Sequence, residues 1–82
     1  MDNAINTPVG EMNIMDSSGH QQLTWREDNP EEVAAAQAAF NRRIRQGFVG
    51  FGSAKKLEQK HSLQAFDPTL EEVVMVPRIV GG

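Results

Sequence analysis

The chain contains no cysteine, which excludes a disulfide framework and a metal site built on thiolates. It also lacks any run that approaches the ~20 apolar residues of a membrane-spanning helix. Its first residues have neither the basic region nor the apolar stretch of a secretion signal, so we expect no secretion and no membrane partner. The net charge is −3, whereas nucleic-acid binding usually requires a basic domain, so we expect no nucleic-acid partner.

Two short basic clusters stand out against this acidic total, at residues 42–45 and 55–56. We interpret the first as charge at the end of a helix and the second as a solvated loop, with contacts to phosphate as the alternative. Eighty-two residues permit one small domain, which buries only about 60% of the surface of its extended chain. Such a domain gains stability from any partner that buries more of it.

One segment, between Asn29 and Gly47, carries the signals of a helix at both ends. Asn29 is a favoured N-cap, and Pro30 occupies the first helical position, where its missing N–H costs nothing. Glu32 lies three residues after the cap and can reach back to it, as in a capping box. Gly47 ends the helix, because glycine takes a positive φ without a Cβ penalty. The sequence therefore predicts a helix over residues 30–46.

The predicted helix has two different sides. Val33, Phe40 and Ile44 fall on one stripe, which we expect to face a sheet. The opposite side carries three alanines, Ala35, Ala38 and Ala39. We interpret them as good helix formers, and the alternative is a flat surface for the close approach of a second chain.

Short apolar stretches on both sides of the helix predict strands, with turns at residues 16–19 and 67–69. The predicted strands are 12–15, 22–25, 48–52, 63–66 and 71–76. We expect an α+β domain of ββαβββ order, with one helix packed on a mostly antiparallel sheet, which is the general plan of the β-grasp fold. Gly50 within the third strand predicts a bulge or a close backbone approach.

This interpretation divides the chain into an N-terminal arm (1–11), a domain (12–76) and a C-terminal tail (77–82). The arm is polar and interrupted by proline and glycine, and Pro77 ends the hydrogen bonding of the last strand. The predicted core consists of Leu23, Trp25, Val33, Phe40, Ile44, Phe48, Phe51, Phe66, Val74 and Val76.

No group of residues in the sequence has the spacing of an active site. His20, in a predicted turn, and His61, in a predicted loop, have no second ligand at metal-binding spacing. The glycine-rich stretch at 47–52 matches neither phosphate-binding pattern and follows the helix, whereas such loops precede one. We therefore predict a non-enzymatic protein with no catalytic residue, no metal and no cofactor.

The two ends of the chain are the predicted partner-binding segments, because exposed apolar residues lie beyond the proline that ends the last strand. The predicted partner-binding residues are Val9, Pro77, Arg78, Ile79, Val80, Gly81 and Gly82. The order of the elements and the Gly-Gly end resemble ubiquitin-like proteins in outline, over residues 12–82. That resemblance implies that the carboxylate of Gly82 is activated and joined to an amine.

The residue pattern also resembles short uncharacterised proteins of bacterial and tailed-phage genomes. Its parts are Trp25 and the segments 29–33, 47–48, 66–68 and 76–82. This resemblance implies a virion setting. The leading hypothesis is a structural subunit, present in many copies, that docks onto a larger assembly such as a capsid through its arm, its tail and a sheet edge. We expect it in the virion or the host cytoplasm. The alternatives are a ubiquitin-like modifier and a small adaptor or inhibitor that binds one enzyme by strand addition.

Overall fold

The computed structural model describes residues 9–78, which form one helix packed on a five-stranded sheet. The elements are β1 (Val9–Asp16), β2 (Gly19–Arg26), α1 (Pro30–Arg45), β3 (Phe48–Ser53), β4 (His61–Leu63) and β5 (Glu72–Pro77). The predicted α+β class and ββαβββ order are confirmed. Two predicted boundaries move, because residues 9–11 of the predicted arm belong to β1 and Pro77 of the predicted tail belongs to β5.

The strand order in the sheet is β2-β1-β5-β3-β4. Three of the four neighbouring pairs are antiparallel, and β1 with β5 is the parallel pair, so the sheet is mixed but mostly antiparallel. The last strand of the chain therefore lies in the centre of the sheet. The edges are β2, which has eight residues, and β4, which has three.

The helix begins as predicted, because the side chain of Asn29 accepts hydrogen bonds from the backbone N–H groups of Glu31 and Glu32, both at 3.1 Å. The predicted capping box is wrong in one respect. Glu32 does not bond the N–H of Asn29, which donates to the carbonyl of Arg26. Instead, Glu32 Oε1 accepts from the backbone N–H of Arg26 at 2.8 Å. The helix ends before Gly47, which has a φ of +96°.

The core lies between α1 and the sheet face that it covers. Its buried apolar residues are Met12, Ile14, Trp25, Ala36, Phe40, Leu70, Val73 and Met75. Phe66 joins the two large aromatic residues, since its ring centroid lies 5.0 Å from that of Trp25 and 5.9 Å from that of Phe40. Gly50 confirms the predicted close approach, because a Cβ there would lie 2.8 Å from Phe40 Cε2.

Four residues of the predicted core are not in it. Phe51, Val74 and Val76 are half-buried on the face of the sheet that α1 does not cover. The apolar run of β5 is continuous, so the sequence did not reveal which alternate residues turn inward. Ile44 is 38% exposed in the last turn of α1, whereas Ala36, one turn before Phe40 on the same face of the helix, is buried.

The fourth strand is also shifted. The sequence predicts it over residues 63–66, whereas β4 covers His61–Leu63 and the chain then bends away. This bend lets Phe66 leave the plane of the sheet and pack on Trp25. The predicted turn after it is confirmed, because Asp67 Oδ1 accepts from the backbone N–H of Thr69 at 2.9 Å. Trp25 Nε1 donates to the carbonyl of Pro68 at 3.0 Å and so fixes this loop to β2.

Candidate functional site

The longest exposed edge of the sheet is β2, which pairs with β1 on one side over its whole length. On its other side no strand of the described residues 9–78 is hydrogen-bonded to it. An edge of this kind presents backbone N–H and C=O groups that can pair with another chain.

The hydrogen bonds around Arg26 identify which groups of β2 point outward. Its N–H donates to Glu32 and its carbonyl accepts from the N–H of Asn29, so both groups point away from β1. In an antiparallel pair, successive residues alternate between pointing towards the partner strand and away from it. The backbone groups of His20, Gln22 and Thr24 therefore also point outward, at the free side of β2.

This edge lacks the features that usually prevent strand addition. Such features include lysine or proline within the strand and bulges that twist it away. The strand Gly19–Arg26 contains neither lysine nor proline, and its register with β1 is continuous from Val9↔Arg26 to Asp16↔Gly19. Within residues 9–78, contacts occupy the edge at its last residue alone, where Arg26 bonds Glu32. The edge from His20 to Thr24 is therefore open to a partner strand.

On the uncovered face of the sheet, β1 and β2 carry a polar network centred on Asn13. This side chain is 9% exposed and donates to Glu11 Oε2 at 2.8 Å. Its Oδ1 accepts from Gln22 Nε2 at 3.2 Å, and Nε2 of His20 lies 3.1 Å from the same oxygen. The hydrogen bond from Asn13 and then that from Lys56 lower the pKa of Glu11, which stays ionised. These contacts fix the side chains of His20 and Gln22, the two residues of β2 in the network, against β1.

The other half of this face is apolar. In the register of β3 and β5, Phe51 lies opposite Val74, and Val49 lies opposite Val76. All four side chains are half-buried, although α1 packs on the other face. The uncovered face is thus polar towards β2 and apolar towards β3.

The loop between β3 and β4 presents Leu57, whose side chain is 96% exposed. Leu57 has a φ of +69°, which is unusual for a residue with a Cβ. Two glutamates hold the loop in place, since Glu71 Oε1 accepts from the backbone N–H of Lys56 at 3.1 Å and Glu72 pairs with Lys60 Nζ at 2.7 Å. A fixed loop therefore displays an apolar side chain in a strained conformation.

The short β4 leaves a gap beside the first residues of β3. The pairing of β3 with β4 ends at Gly50↔Leu63, whereas β3 begins two residues earlier. A cavity of about 320 Å³ occupies this gap. Its walls include Ile44 of α1, Phe48 of β3, Leu63 of β4 and Arg78.

The structure places three of the predicted partner-binding residues. Val9 lies in β1 opposite Arg26 and is 48% exposed, so it is a strand residue beside the free edge. Pro77 ends β5 opposite Phe48, and the backbone N–H of Arg78 donates to the carbonyl of Gly47 at 3.1 Å. The remaining predictions, Ile79, Val80, Gly81 and Gly82, lie outside the described residues.

The two histidines lie in strands, where the sequence analysis placed them in a turn and a loop. His20 is the second residue of β2, and His61 is the first residue of β4. Within residues 9–78, no group of three or more histidine, aspartate or glutamate side chains is arranged to hold a metal ion. The helix of this part of the chain is not long and apolar enough to cross a membrane.

Comparisons with known proteins found no matching family model, no matching curated protein and no matching solved structure.

The sequence predicts a docking edge of the sheet but does not identify the strand that forms it. The sequence signal is limited to the absence of lysine and proline from residues 19–26, because the position of this strand at an edge depends on the order of strands in the sheet. The cavity beside β4 was missed, since it depends on where that strand ends. No residue pattern in 61–66 shows that pairing stops at Leu63.

Proposed function

We propose that this chain is a non-enzymatic docking subunit that pairs the free edge of β2 with a strand of a larger protein assembly. Segments at the two ends of the chain provide further contacts. This is recognition by strand addition, in which backbone hydrogen bonds give affinity and the adjoining side chains give specificity.

The observation that carries the proposal is the unblocked edge from His20 to Thr24. Its three outward-pointing residues present a regular row of backbone donors and acceptors. The exposed side chains of this strand are polar and include no carboxylate, so an acidic residue on a partner strand meets no like charge directly opposite. A domain of this size also gains stability when an assembly buries more of its surface.

The setting that we propose is a tailed-phage particle, in which the chain decorates the capsid or associates with the head in many copies. The support for this setting is the residue pattern described above, from Trp25 to the segment 76–82. Its location would then be the virion or the host cytoplasm.

Photo-crosslinking tests the docking proposal. A benzophenone amino acid replaces Thr24, which is exposed at the free edge, and in a matched control it replaces Ala35, which is exposed on the outer side of α1. We expect the Thr24 position to crosslink to a single repeated protein of the assembly, and the Ala35 position to give little product. Equal yields at both positions would contradict the proposal. Crosslinking of one copy of the chain to one molecule of an enzyme would support the adaptor or inhibitor instead.

One observation favours the second candidate, a ubiquitin-like modifier. The last strand of residues 9–78, β5, lies in the centre of the sheet and is parallel to β1, and the sequence Ile-Val-Gly-Gly follows Arg78. This candidate predicts that Gly82→Ala abolishes function. Trypsin cleaves after Arg78, so it would leave Ile-Val-Gly-Gly attached to a target lysine. The absence of this remnant in cells that contain the matching activating enzyme would reject the candidate.

A further inference from the structure

The gap beside the end of β4 combines three features that recognise a peptide. It offers an unpaired residue of a strand, a cavity with both apolar and polar walls, and a positively charged side chain. These features lie at the opposite edge of the sheet from β2 and do not depend on the function proposed above.

The backbone of Phe48 faces this gap. The bond from the N–H of Arg78 to the carbonyl of Gly47 shows that Gly47 points towards β5. By alternation, the N–H and C=O of Phe48 point away from β5, towards the β4 side. The pairing of β4 ends at Leu63, opposite Gly50, so within the described part of the chain no strand residue pairs with Phe48 on that side.

The cavity next to Phe48 suits an apolar side chain. Its volume of about 320 Å³ is about ten times the ~30 Å³ that one water molecule occupies in the liquid. Ile44 and Leu63 line it together with Phe48 and are partly exposed. A peptide residue opposite Phe48 would point to the face of the sheet that α1 covers, and so towards the apolar part of the cavity wall at Ile44 and Leu63.

The neighbouring peptide residue would meet Arg78. Successive residues of a strand point to opposite faces, so the residue after the apolar one, opposite Gly47, would lie on the uncovered face. Arg78 pairs with Gly47 on the other side, and Gly47 has no side chain to separate them. Two strand spacings amount to about 10 Å, which an arginine and a glutamate can span together. No ion pair engages Arg78 among the described residues, and its side chain is exposed.

We propose that this gap binds an extended peptide segment in which an apolar residue is followed directly by an acidic one. The segment adds to β3 in antiparallel orientation beyond the end of β4. Its apolar side chain enters the cavity between Ile44 and Leu63, and its carboxylate pairs with Arg78.

NMR titration of the full chain tests this proposal. The probe is the blocked hexapeptide Ac-Thr-Thr-Leu-Glu-Thr-Thr-NH2, with two control peptides that carry serine for leucine or lysine for glutamate. We expect the probe to shift the amide signal of Phe48 and the methyl signals of Ile44 and Leu63. The serine peptide should bind at least about tenfold more weakly, because the burial of a leucine side chain is lost. The lysine peptide should bind more weakly than the probe as well.

Two protein variants separate the charge from general effects on the fold. Arg78→Gln should weaken binding of the probe by about two- to fivefold, the range for an exposed ion pair. Arg45→Gln, which changes an exposed arginine outside the cavity lining, should leave the affinity unchanged. Equal losses in both variants would show an effect of net charge alone and overturn the proposal.

Other occupants of the gap would give different results. Shifts confined to His20, Gln22 and Thr24 would mean that the peptide adds to β2. Concentration-dependent shifts of Leu63 without peptide would identify a second copy of the chain. Shifts of the Ile44 and Leu63 methyl signals in an Ile79→Ser/Val80→Ser variant without peptide would identify the chain's own C-terminal residues. Each of these results, or the absence of any shift, would overturn the proposal.

Discussion

Gly10 and Trp25 lie opposite each other in the register of β1 and β2, and the indole ring of Trp25 occupies the space above Gly10. A Cβ on Gly10 would overlap the ring atoms Cε2 and Cζ2. The ring is held from two other sides, by its hydrogen bond to the carbonyl of Pro68 and by its edge contact with Phe66. The start of β1 is therefore part of the domain, because the indole ring of Trp25 packs directly on its backbone at Gly10.

Gly10→Ala should destabilise the protein by about 1–3 kcal/mol, the usual cost of overpacking a well-filled core. Urea denaturation followed by tryptophan fluorescence measures this change. Val9→Ala is the matched control, and we expect it to change stability by no more than about 0.5 kcal/mol, since Val9 is largely exposed. Equal stabilities of Gly10→Ala and wild type would mean that Trp25 does not lie over β1.

Two substitutions on α1 test how far its buried stripe extends towards the C-terminal end of the helix. Phe40→Ala should cost about 3–5 kcal/mol, because Phe40 is buried against Phe66 and Gly50. In so small a domain, that loss leaves little folded protein. Ile44→Ala should cost less than about 1 kcal/mol, because Ile44 is partly exposed at the cavity. Similar losses in both variants would show that Ile44 is buried like Phe40, as the sequence predicts, and would contradict its partial exposure.

Replacement of Leu57 by glycine should stabilise the fold, in contrast to the substitutions above. A residue with a Cβ at positive φ costs roughly 1–2 kcal/mol, and the greater backbone entropy of an unfolded glycine offsets about half of this. Leu57→Gly should therefore raise the free energy of unfolding by roughly 0.5–1 kcal/mol. Leu57→Ala, which removes the exposed side chain but keeps the Cβ, should give no such gain. A loss of stability in Leu57→Gly would contradict the assigned backbone conformation.

The stability of the fold should fall in acid through Glu11 and Glu72. The hydrogen bond from Asn13 lowers the pKa of Glu11, and that from Lys60 lowers the pKa of Glu72. A carboxyl group whose pKa is lower in the folded state stabilises the fold above its unfolded pKa, near 4.3, and this contribution is lost as the pH falls through the folded pKa. We therefore expect the urea midpoint to decrease between pH 5 and pH 2.

Removing either partner of the Glu72 ion pair should flatten this pH dependence. Glu72→Gln and Lys60→Gln should each be less stable than wild type at pH 7, with a difference that shrinks as the pH approaches 2. Urea titrations at a series of pH values measure both curves. If the difference between wild type and variants stayed constant with pH, the ion pair would not be the cause.

The helix and the element order could be predicted from sequence because their signals are local. Asn29 and Gly47 mark the ends of α1 by side-chain and backbone preferences that need no tertiary contact. The sequence does not show which side chains of β5 point towards α1, because the four consecutive residues Val73, Val74, Met75 and Val76 are all apolar. Only the register with β1, which places Val73 opposite the buried Met12, decides which of them turn inward.

For the candidate sites, the sequence predicts the type of site but not the residues that form it. A docking edge was expected, but the identity of β2 as the free edge depends on the order of strands in the sheet, which is a long-range property. The cavity at Phe48 depends on the bend after Leu63, and this bend accompanies the long-range contact of Phe66 with Trp25. The predicted tail contributes Pro77 to β5, and its residues after Arg78 lie outside the described part of the chain.

The central claim is that the free edge of β2 pairs with a strand of a larger assembly, and hydrogen exchange at single residues tests it most directly. In the isolated chain, the amides of His20, Gln22 and Thr24 should exchange fast, whereas those of Gln21, Leu23 and Trp25, which point towards β1, should exchange slowly. In the purified assembly, the first three amides should become as protected as their neighbours. If they still exchange fast there, β2 is not the docking strand and the account is wrong.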